Sequence, residues 1–557
     1  MFRHWVARTV AWVSLGVLVS AGAACGTSPV TAPTERAGQP KVNRLVFAIE
    51  PLAIESNDVR TICCHDVMQL RPMYENLIGT DPKTGKHIPQ LATEWTTTPD
   101  FRQVRFKLRE GVRFNGGDWG EFTARDVVHS YENFALRDDS HNWIGWWKKI
   151  VNRLEVVNDH EVVFHINPHV SFFNAISENY YQIPMNSKAH FDAAGDPLFD
   201  QPPHPGTGAY QYLDRGRSTF IRFGRVPYQH YRGQPDFPEL EARWMREAST
   251  RLAGLLTGEI HMTKLPADMK AQADGRSMRL LTNTVTGPRV FGQWACCYNP
   301  DWSNYNTQWP RNPESPMLNI KVRQALNKAL DRDALQKAFA PAGERMLLNH
   351  FRPEWPGWNP EWERRWSDMY GYDPARARQL LAEAGMTPWQ GPPMVINLVD
   401  ILQLSNANDM AEAVAGYWRA IGVPVELNSA DPATRLQQAR GLRHFHHWAM
   451  TSTGSDQNYA AQVYNFGSTK IPSVTCYCPP QMVKVYEEEL VPQMDPVKQG
   501  PVLRRLGDWM FENFATTPFF FNNIELWVNP EIVADYFYPG GGMHSTYTHL
   551  EQVKAVK

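Results

Sequence analysis

The chain has 557 residues, with 56 Lys and Arg against 58 Asp and Glu, so its formal net charge is -2. This near balance argues against a nucleic-acid-binding protein, which normally carries a basic excess, and against an acidic disordered chain. With 43% hydrophobic residues the chain is globular, and its length allows several domains or one large multi-lobed body.

Residues 1–24 have the features of a secretion signal. Two arginines precede the apolar stretch Val10–Ala21, which is too short to span a bilayer permanently. Small residues then precede Cys25, as in a bacterial lipobox, although Gly22 replaces the usual Leu. A tether rich in small residues and proline follows, so we expect cleavage and acylation of Cys25, which would anchor the exported protein to a membrane surface. The alternative is cleavage at a nearby A-x-A-like site and release.

Hydrophobic periodicity and capping signals predict alternating strands and helices along the chain. Strands are predicted at Asn43–Glu50, Val104–Leu108, Glu161–Ile166, two runs within Ala209–Phe223, Met394–Leu398, Val423–Leu427 and Pro518–Val528. Helices are predicted at Asp66–Leu77, Ala124–Phe134 with Thr123 as N-cap, residues 247–260, Ile320–Phe339, Pro374–Ala384, Asp409–Ile421 and within residues 481–513. The alternation indicates an α/β body.

Six cysteines remain after Cys25, in three local pairs: Cys63 with Cys64, Cys296 with Cys297, and Cys476 with Cys478. Export favours oxidation, so we expect disulfides, although the sequence does not choose among their connectivities. A thiolate metal site is the alternative, with His65 beside Cys64, but the C-x-x-C spacing typical of such sites is missing.

Several sequence blocks resemble the bacterial extracellular solute-binding proteins of the peptide/nickel family (family 5), the receptors of ABC importers. The blocks follow the order of the family from about residue 43 to 530: Tyr74–Ile78, Pro99–Glu132, Gly206–Tyr210, residues 251–261, Val322–Leu326 and Tyr372–Gly385. The resemblance implies an α/β, periplasmic binding protein-like fold (type II), in which two lobes with a hinge and an extra subdomain close over a ligand.

The family layout also implies how the domains are distributed along the chain. After the signal peptide (1–24) and the flexible tether (25–42), we expect lobe I at 43–81, the extra subdomain at 82–200, lobe I again at 201–290, lobe II at 291–505 and the last part of lobe I at 506–557.

The family layout implies that three segments face the cleft: Asp58–Asp66, Gly292–Pro300 and Trp448–Tyr459. They supply the candidate ligand contacts, which are His65, Asp66, Trp294, Tyr298, Asn299, Trp448, Thr451, Ser452 and Asp456. For the tryptophans the alternative is core packing. Because the cysteine pairs lie in or near these segments, we hypothesise that disulfides hold the loops of the cleft.

The resemblance is weakest where dipeptide-binding members hold the charged ends of a peptide. Those members carry an Asp after the lobe II strand, whereas Thr451–Thr453 are neutral here and Asp456 comes a few residues later. They also carry an Arg in the segment that corresponds to residues 399–404, which contains none. A buried charge needs an opposite charge, so a ligand other than a short free peptide is favoured.

We therefore expect a substrate-binding lipoprotein of an ABC importer that captures an oligopeptide or related small solute and delivers it to a membrane permease with its ATPase subunits. We expect a monomer that binds no cofactor, metal or nucleic acid. We also expect no catalytic residues, since no hydrolase or P-loop motif is present. The histidines His444, His446 and His447 are interpreted as a surface strand rather than a metal site. The alternatives are a scaffold or regulatory lipoprotein of the cell envelope, and a receptor for an oligosaccharide or a metal chelate.

Overall fold

The computed structural model describes residues 38–52, 54–62, 64–135, 144–178, 183–197, 201–283, 288–294, 316–398, 404, 406–429, 448–453, 480–538 and 547–557. Its strands, in chain order, are β1 (Arg44–Ile49), β2 (Ile78–Thr80), β3 (His87–Pro89), β4 (Ala92–Thr97), β5 (Gln103–Leu108), β6 (Val151–Asn158), β7 (Glu161–Ile166), β8 (Tyr210–Gly216), β9 (Phe220–Arg225), β10 (Glu239–Trp244), β11 (Met262–Thr263), β12 (Arg279–Asn283), β13 (Arg289–Trp294), β14 (Glu344–Arg345), β15 (Met394–Leu398), β16 (Val425–Ser429), β17 (Trp448–Thr453), β18 (Thr516–Phe521), β19 (Ile524–Val528), β20 (Val533–Asp535) and β21 (Lys554–Ala555).

The α-helices are α1 (Ala124–Ala135), α2 (Ile144–Ile150), α3 (Phe172–Ala175), α4 (Lys188–Ala194), α5 (Ala248–Thr257), α6 (Lys270–Asp274), α7 (Ile320–Lys328), α8 (Arg332–Phe339), α9 (Pro360–Tyr370), α10 (Pro374–Glu383), α11 (Ala407–Ala420), α12 (Pro480–Lys484) and α13 (Pro496–Glu512). Tighter 3-10 segments cover Cys64–Gln69, Arg71–Met73, Ala267–Met269, Pro316–Leu318 and Leu550–Gln552, and a π-helical segment covers Val485–Leu490. Within the ranges given above, none of the helices combines the length and the apolar character that crossing a bilayer requires.

Seven strands form the first sheet, in the order β12-β19-β11-β1-β10-β9-β8. The central strand β1 pairs in parallel with β10 and β11. Alternation along β1 places Phe47 and Ile49 in the main core, while Val46 and Ala48 pack with Leu255 on the opposite face. Both faces of this strand are therefore buried, as is usual for parallel strands covered on two sides.

Six strands form the second sheet, in the order β14-β18-β13-β17-β15-β16. Its core contains Val322 of α7, Val414 of α11 and Ile396 of β15. Gly292 of β13 permits close packing across the sheet, since an added Cβ would lie 2.1 Å from the indole of Trp448 on β17. The bare backbone of β13 therefore provides the space for that ring.

Two connections join the first sheet to the second. The first runs from β12 to β13, and the second is the short link Asn522–Asn523 between β18 and β19. They are bonded to each other, because the backbone N–H of Asn522 donates to the carbonyl oxygen of Pro288 at 2.8 Å. The two links therefore lie side by side where the chain passes between the sheets.

The second connection corrects two expectations. The stretch Pro518–Val528, predicted as one strand, is divided between β18 in the second sheet and β19 in the first. Because β18 pairs with β13, the crossing back to the first sheet falls at residues 522–523, later than the predicted boundary at residue 505. The division of the chain into lobes otherwise stays a prediction.

A smaller four-stranded sheet, in the order β4-β5-β7-β6, lies within the span predicted for the extra subdomain. Helix α1 lies between β5 and β6 in the chain and begins as the sequence predicts. The backbone N–H and the hydroxyl of Thr123 donate to Oδ2 of Asp126 at 2.9 and 3.0 Å, and the N–H of Arg125 donates to the Thr123 hydroxyl at 3.3 Å. This reciprocal arrangement satisfies backbone donors that the first helical turn leaves open.

Two helix predictions are wrong in extent. The stretch Ile320–Phe339 is divided into α7 and α8, because the side chain of Asp331 accepts a hydrogen bond from the N–H of Ala334 and starts a new helix. The segment Asp66–Leu77 contains only 3-10 turns, which end at Met73, and Tyr74 after them is extended. Apolar spacing alone did not reveal either interruption.

Candidate functional site

A pocket of about 180 Å³ lies between the first and second sheets, beside the two connections. Its size slightly exceeds that of a cavity of roughly 150 Å³ that holds benzene in an engineered protein core. We call it the intersheet pocket, and it is lined by Glu50, Ala248, Arg251, Lys264, Leu265, Pro266, Lys270, Pro288, Phe339, Ala340, Pro341, Ala342, Leu404, Asn406, Asn522, Asn523, Ile524 and Glu525.

The first sheet and its helices give the pocket a charged wall. Arg251 on α5 is buried, and its Nη2 lies 3.1 Å from Oε1 of Glu50, which directly follows β1. The same guanidinium donates to the carbonyl oxygens of Met245 and Arg246, each at 2.8 Å. Glu50 is thus held by a cation that is itself fixed to the backbone.

Two lysines complete the charged wall. Lys270 on α6 forms an ion pair with Glu525 on β19. Lys264 directly follows β11, and burial lowers the pKa of its ammonium group, while the charge of Glu50 raises it in part. The wall therefore carries three cations and two carboxylates.

The second sheet contributes a mostly apolar wall. It consists of residues 339–342, which end α8 and follow it, together with Leu404 and Asn406 before α11. Nδ2 of Asn523, in the second connection, donates to the carbonyl oxygen of Ala342 at 2.6 Å. The loop that forms this wall is therefore attached directly to the link between the sheets.

Trp294 and Trp448, two of the predicted ligand contacts, are buried in the core of the second sheet. The Nε1 of Trp294 donates to the carbonyl oxygen of Phe514 at 2.8 Å, and that of Trp448 donates to the hydroxyl of Thr517 at 3.1 Å. The ring of Trp418 stacks on Trp294 and meets Trp448 edge-on. Core packing accounts for both rings in this structure, and a ligand contact by either stays a prediction.

Ser452 and Thr451 lie near the end of β17, where Ser452 is opposite Val290 of β13. The hydroxyl oxygen of Ser452 is buried and has no hydrogen-bond partner in the part of the chain that the structure describes. Buried polar atoms are nearly always paired, and a ligand contact by this oxygen stays a prediction. For Thr451 the structure describes only the backbone.

Asp66 holds the loop that follows β1. It is buried, and its Oδ2 accepts a hydrogen bond from the backbone N–H of Ile54 at 3.1 Å. Gln69, one turn further on, accepts from the N–H of Ser56 at 3.0 Å and donates to the carbonyl oxygen of Ile54 at 2.9 Å. These bonds fix the shape of the predicted cleft segment. A direct ligand contact by Asp66 stays a prediction.

Several predicted residues lie outside the described part of the chain. Only the backbone is described for His65 and Cys64. The others are Tyr298, Asn299, Asp456, Cys25, Cys63, Cys296, Cys297, Cys476, Cys478, His444, His446 and His447.

The charged residues of the intersheet pocket were not among the sequence candidates. Glu50, Arg251, Lys264, Lys270 and Glu525 come from distant stretches of the chain, and no short motif joins them. One signal was available, because Glu50 and Lys264 each directly follow a strand of the parallel pair β1 and β11. Ligands of open α/β sheets bind beyond such carboxyl ends.

A second cavity, of about 30 Å³, has room for only one or two water molecules. It is lined by what we call the buried charge network, formed by Arg232, Glu75, Glu551, His549 and Glu178. Arg232 lies 2.5 Å from Glu551 and 3.4 Å from Glu75, and His549 lies 3.0 Å from Glu178. Burial alone would lower the pKa of His549, but the carboxylate of Glu178 outweighs it and raises that pKa to about 9. The network is therefore a set of paired charges with almost no space between them.

Two sheets joined by two adjacent connections, with a pocket between them, define a periplasmic binding protein-like fold. The chain belongs to the family of bacterial extracellular solute-binding proteins, family 5, whose middle-region model matches residues 86–470. As a member of an extracellular solute-binding family, it is an exported protein.

The chain is similar to solute-binding proteins named for different ligands. It is 26% identical to the dipeptide-binding protein of Escherichia coli over 395 residues, which cover 67% of this chain and 69% of that one. It is also 26% identical to heme-binding protein A of Haemophilus influenzae over 408 residues, or 69% of each chain. In structure it is similar to a dipeptide-binding protein from Pseudoalteromonas in complex with Met-Leu, with a TM-score of 0.73, 20% identity, and coverage of 92% of this chain and 100% of that one.

Proposed function

We propose that this protein is the substrate-binding component of an ABC importer, which captures an oligopeptide or a related small solute in the intersheet pocket and delivers it to a membrane permease. The observation that carries the proposal is the position of the pocket, which has a wall from each sheet and lies beside both connections. A solute bound there contacts both sheets, so its binding favours the arrangement in which they are closest. Similar proteins named for dipeptides and for heme support a small-solute ligand.

Ligand-dependent stabilisation tests the binding step. The mature protein would be screened by thermal shift with dipeptides and tripeptides, including Met-Leu, and with heme, nickel chelates and oligosaccharides, and positive results would be confirmed by calorimetry. A true ligand raises the Tm in a concentration-dependent manner, by about 2.7 kcal/mol of stability at a hundredfold excess over Kd. If no compound class shifts the Tm, the proposal is wrong and the envelope scaffold becomes the better candidate.

The transport step needs a test in cells. Deletion of the gene is expected to abolish uptake of the solute that binds in vitro, and the wild-type gene is expected to restore it. The matched control is Lys321→Gln, which removes only a half-exposed ion pair with Glu383 and so should restore uptake fully. Normal uptake in the deletion strain would contradict a transport role.

We also propose that Cys25 carries a lipid anchor and that the remaining cysteines form disulfides, on the sequence and compartment arguments given above. Cys25→Ser is expected to release the protein from the membrane fraction, whereas Cys63→Ser should leave it there. Mass mapping of non-reduced peptides would identify the bridges. Six free thiols would overturn the disulfide proposal.

A further inference from the structure

The two walls of the intersheet pocket differ in chemistry. The wall from the first sheet carries the three cations and two carboxylates described above, whereas the wall from the second sheet is apolar apart from the amide of Asn406. A solute that fills the pocket therefore meets charged groups on one side and hydrocarbon on the other. A uniformly polar solute would leave polar atoms without partners against the apolar wall.

The cations of the charged wall are all engaged within the protein. Arg251 donates from Nε to the carbonyl oxygen of Lys264 at 3.3 Å, in addition to the two backbone oxygens and the carboxylate of Glu50 described above. Lys270 is paired with Glu525. Lys264 has an interaction of its own, and the charge of Glu50 acts on it as well. An anionic ligand would therefore have to draw a cation away from its present partner.

The two carboxylates of this wall are engaged in the same way. Glu50 is held by Arg251 at 3.1 Å, and Glu525 is held by Lys270. The ammonium group of a ligand would have to displace one of these cations to gain a full negative partner. A charge that leaves water without an opposite charge of its own is costly, so the wall disfavours a ligand ion of either sign.

The carboxylates can still accept hydrogen bonds from uncharged groups. Each ion pair uses one oxygen, which is Oε1 in Glu50 and Oε2 in Glu525. A carboxylate offers about four lone-pair sites, so each can accept from a hydroxyl or an amide while its ion pair stays intact. Such a bond to a charged acceptor is stronger than one between two neutral groups. Glu50 is accessible to a solute, since 34% of its side chain is exposed.

We propose that the intersheet pocket selects an uncharged solute, whose hydroxyl or amide donors face Glu50 and Glu525 and whose apolar body packs against residues 339–342 and Leu404. This inference rests on the proposed function and specifies the substrate class of the same site. The pocket volume of about 180 Å³ fits an aromatic ring with a short polar side chain.

Four probes that share a phenyl body separate the charge requirements. 3-Phenylpropanamide is uncharged, 3-phenylpropanoate is an anion, 3-phenylpropylammonium is a cation, and phenylalanine carries both charges. Calorimetry on the mature protein is expected to give the tightest binding for the amide, by about tenfold or more over each of the others. The reason is that only the amide binds without the exchange of an ion pair of the wall.

Two charge variants of the wall test the residues themselves. Glu50→Gln leaves Arg251 without its carboxylate, so the affinity for 3-phenylpropanoate should rise by about tenfold. Lys270→Gln leaves Glu525 without its cation, so the affinity for 3-phenylpropylammonium should rise by a similar factor. A variant that only damaged the fold would weaken all four probes together, and the Tm of each variant verifies folding.

The charge-matched controls are Glu383→Gln and Lys321→Gln. They change the net charge by the same amounts at a half-exposed ion pair whose residues do not line the pocket. Both should bind the four probes like the wild type. If the controls changed the preference as much as the wall variants do, the net charge of the protein would set it, and the inference would be wrong.

The outcomes distinguish this inference from the function on which it rests. Equal or tighter binding of any charged probe to the wild type, or an unchanged preference in either Glu50→Gln or Lys270→Gln, overturns the inference and leaves solute binding intact. If none of the four probes binds but another compound of the thermal-shift screen does, the inference is wrong and the proposed function stands. If no compound binds at all, both proposals are wrong.

Discussion

The buried charge network and the intersheet pocket both bring acidic and basic side chains together, but they leave very different space between them. The network encloses about 30 Å³, and Glu75 in it is only 1% exposed. The intersheet pocket encloses about 180 Å³, and its ion pairs are partly open: Glu50 is 34% exposed and Lys270 is 27% exposed. In the network each charged side chain pairs with another side chain of the protein, whereas the pocket also has room for a solute.

This contrast separates charges that stabilise the fold from charges that recognise a ligand. Ion pairs that are packed without free space around them are costly to disrupt, because removal of one partner leaves the other buried and uncompensated. Charges that line an open pocket retain water or a ligand as alternative partners, so their removal costs less stability and more affinity. Variants in the two regions are therefore expected to have opposite effects on folding and on binding.

The largest effect is expected for Arg232→Met in the network. The substitution leaves Glu75 and Glu551 without their shared cation, and the free energy of unfolding should fall by about 3–5 kcal/mol in urea titrations. The matched control is Arg222→Met, which removes a more exposed pair with Asp214 and should cost less than about 1 kcal/mol. If the free energy of unfolding fell equally in both variants, the buried and the more exposed ion pairs would not differ in their contribution to stability.

The network should also limit stability at both ends of the pH range. The pKa of His549 is raised from 6.5 to about 9, so its contribution is complete below pH 6.5 and is lost as the pH rises to 9. Burial alone would raise the pKa of Glu551, but the charge of Arg232 outweighs it and lowers that pKa from 4.5 to about 2. This contribution is present above pH 4.5 and is lost as the pH falls towards 2.

The contribution of the network to the free energy of unfolding is therefore expected to be highest between pH 4.5 and 6.5, and urea titrations of the wild type and of network variants over this range and beyond it measure that contribution. His549→Gln removes the titrating imidazole and should flatten the alkaline decline. A wild-type curve that stays level from pH 6.5 to 9 would show that His549 and Glu178 are not coupled as their geometry indicates.

A pocket variant should affect binding more than folding. Ala342 is exposed on the apolar wall, so Ala342→Trp places an indole in the pocket without overfilling the core. Affinity for the bound solute should fall by about tenfold or more, while the Tm changes by no more than about 2 °C. Ala382→Trp, at an exposed position on α10 away from the lining, should change neither quantity. Unchanged affinity in Ala342→Trp would place the ligand elsewhere.

The smallest effect is expected at Ser452. Its hydroxyl has no partner among the described residues, so Ser452→Ala should leave the stability of the ligand-free protein unchanged or slightly higher. If a ligand atom pairs with this oxygen, affinity falls by a few-fold, as expected for one neutral hydrogen bond of about 1 kcal/mol.

The contrasting control for Ser452 is Ser130→Ala. The Ser130 hydroxyl accepts a hydrogen bond from the N–H of Asn186 at 3.1 Å, so this variant should lose about 1–2 kcal/mol of stability. A comparable loss in Ser452→Ala would reveal a structural partner for that hydroxyl.

Local sequence patterns predicted single elements well and their assembly less well. The strand β1 and the start of α1 follow directly from alternation and from the pair Thr123 and Asp126, and the structure confirms both. The stretch Pro518–Val528 reads as one strand because both halves are apolar. Periodicity carries no information about which sheet each half joins.

The overall architecture came from the resemblance to family 5, and the matching family model confirms the family. The pocket residues could not be found in this way, because Glu50, Arg251, Lys264, Lys270 and Glu525 meet only after the chain has folded. Trp294 and Trp448 pack in the core of the second sheet, and a ligand contact by either stays a prediction. Gly292 makes room for the ring of Trp448, and this close approach is not apparent from sequence spacing.

The position of β19 in the first sheet has a consequence for the order in which the protein folds. This strand lies between β12 and β11, although it follows every strand of the second sheet in the chain. Because the polypeptide is synthesised from its N-terminus, all strands of the second sheet are present before β19 completes the first sheet. Until residues 524–528 are synthesised, β12 has no neighbour among the described strands and β11 has an open edge, so the incomplete first sheet exposes unpaired backbone groups on both strands.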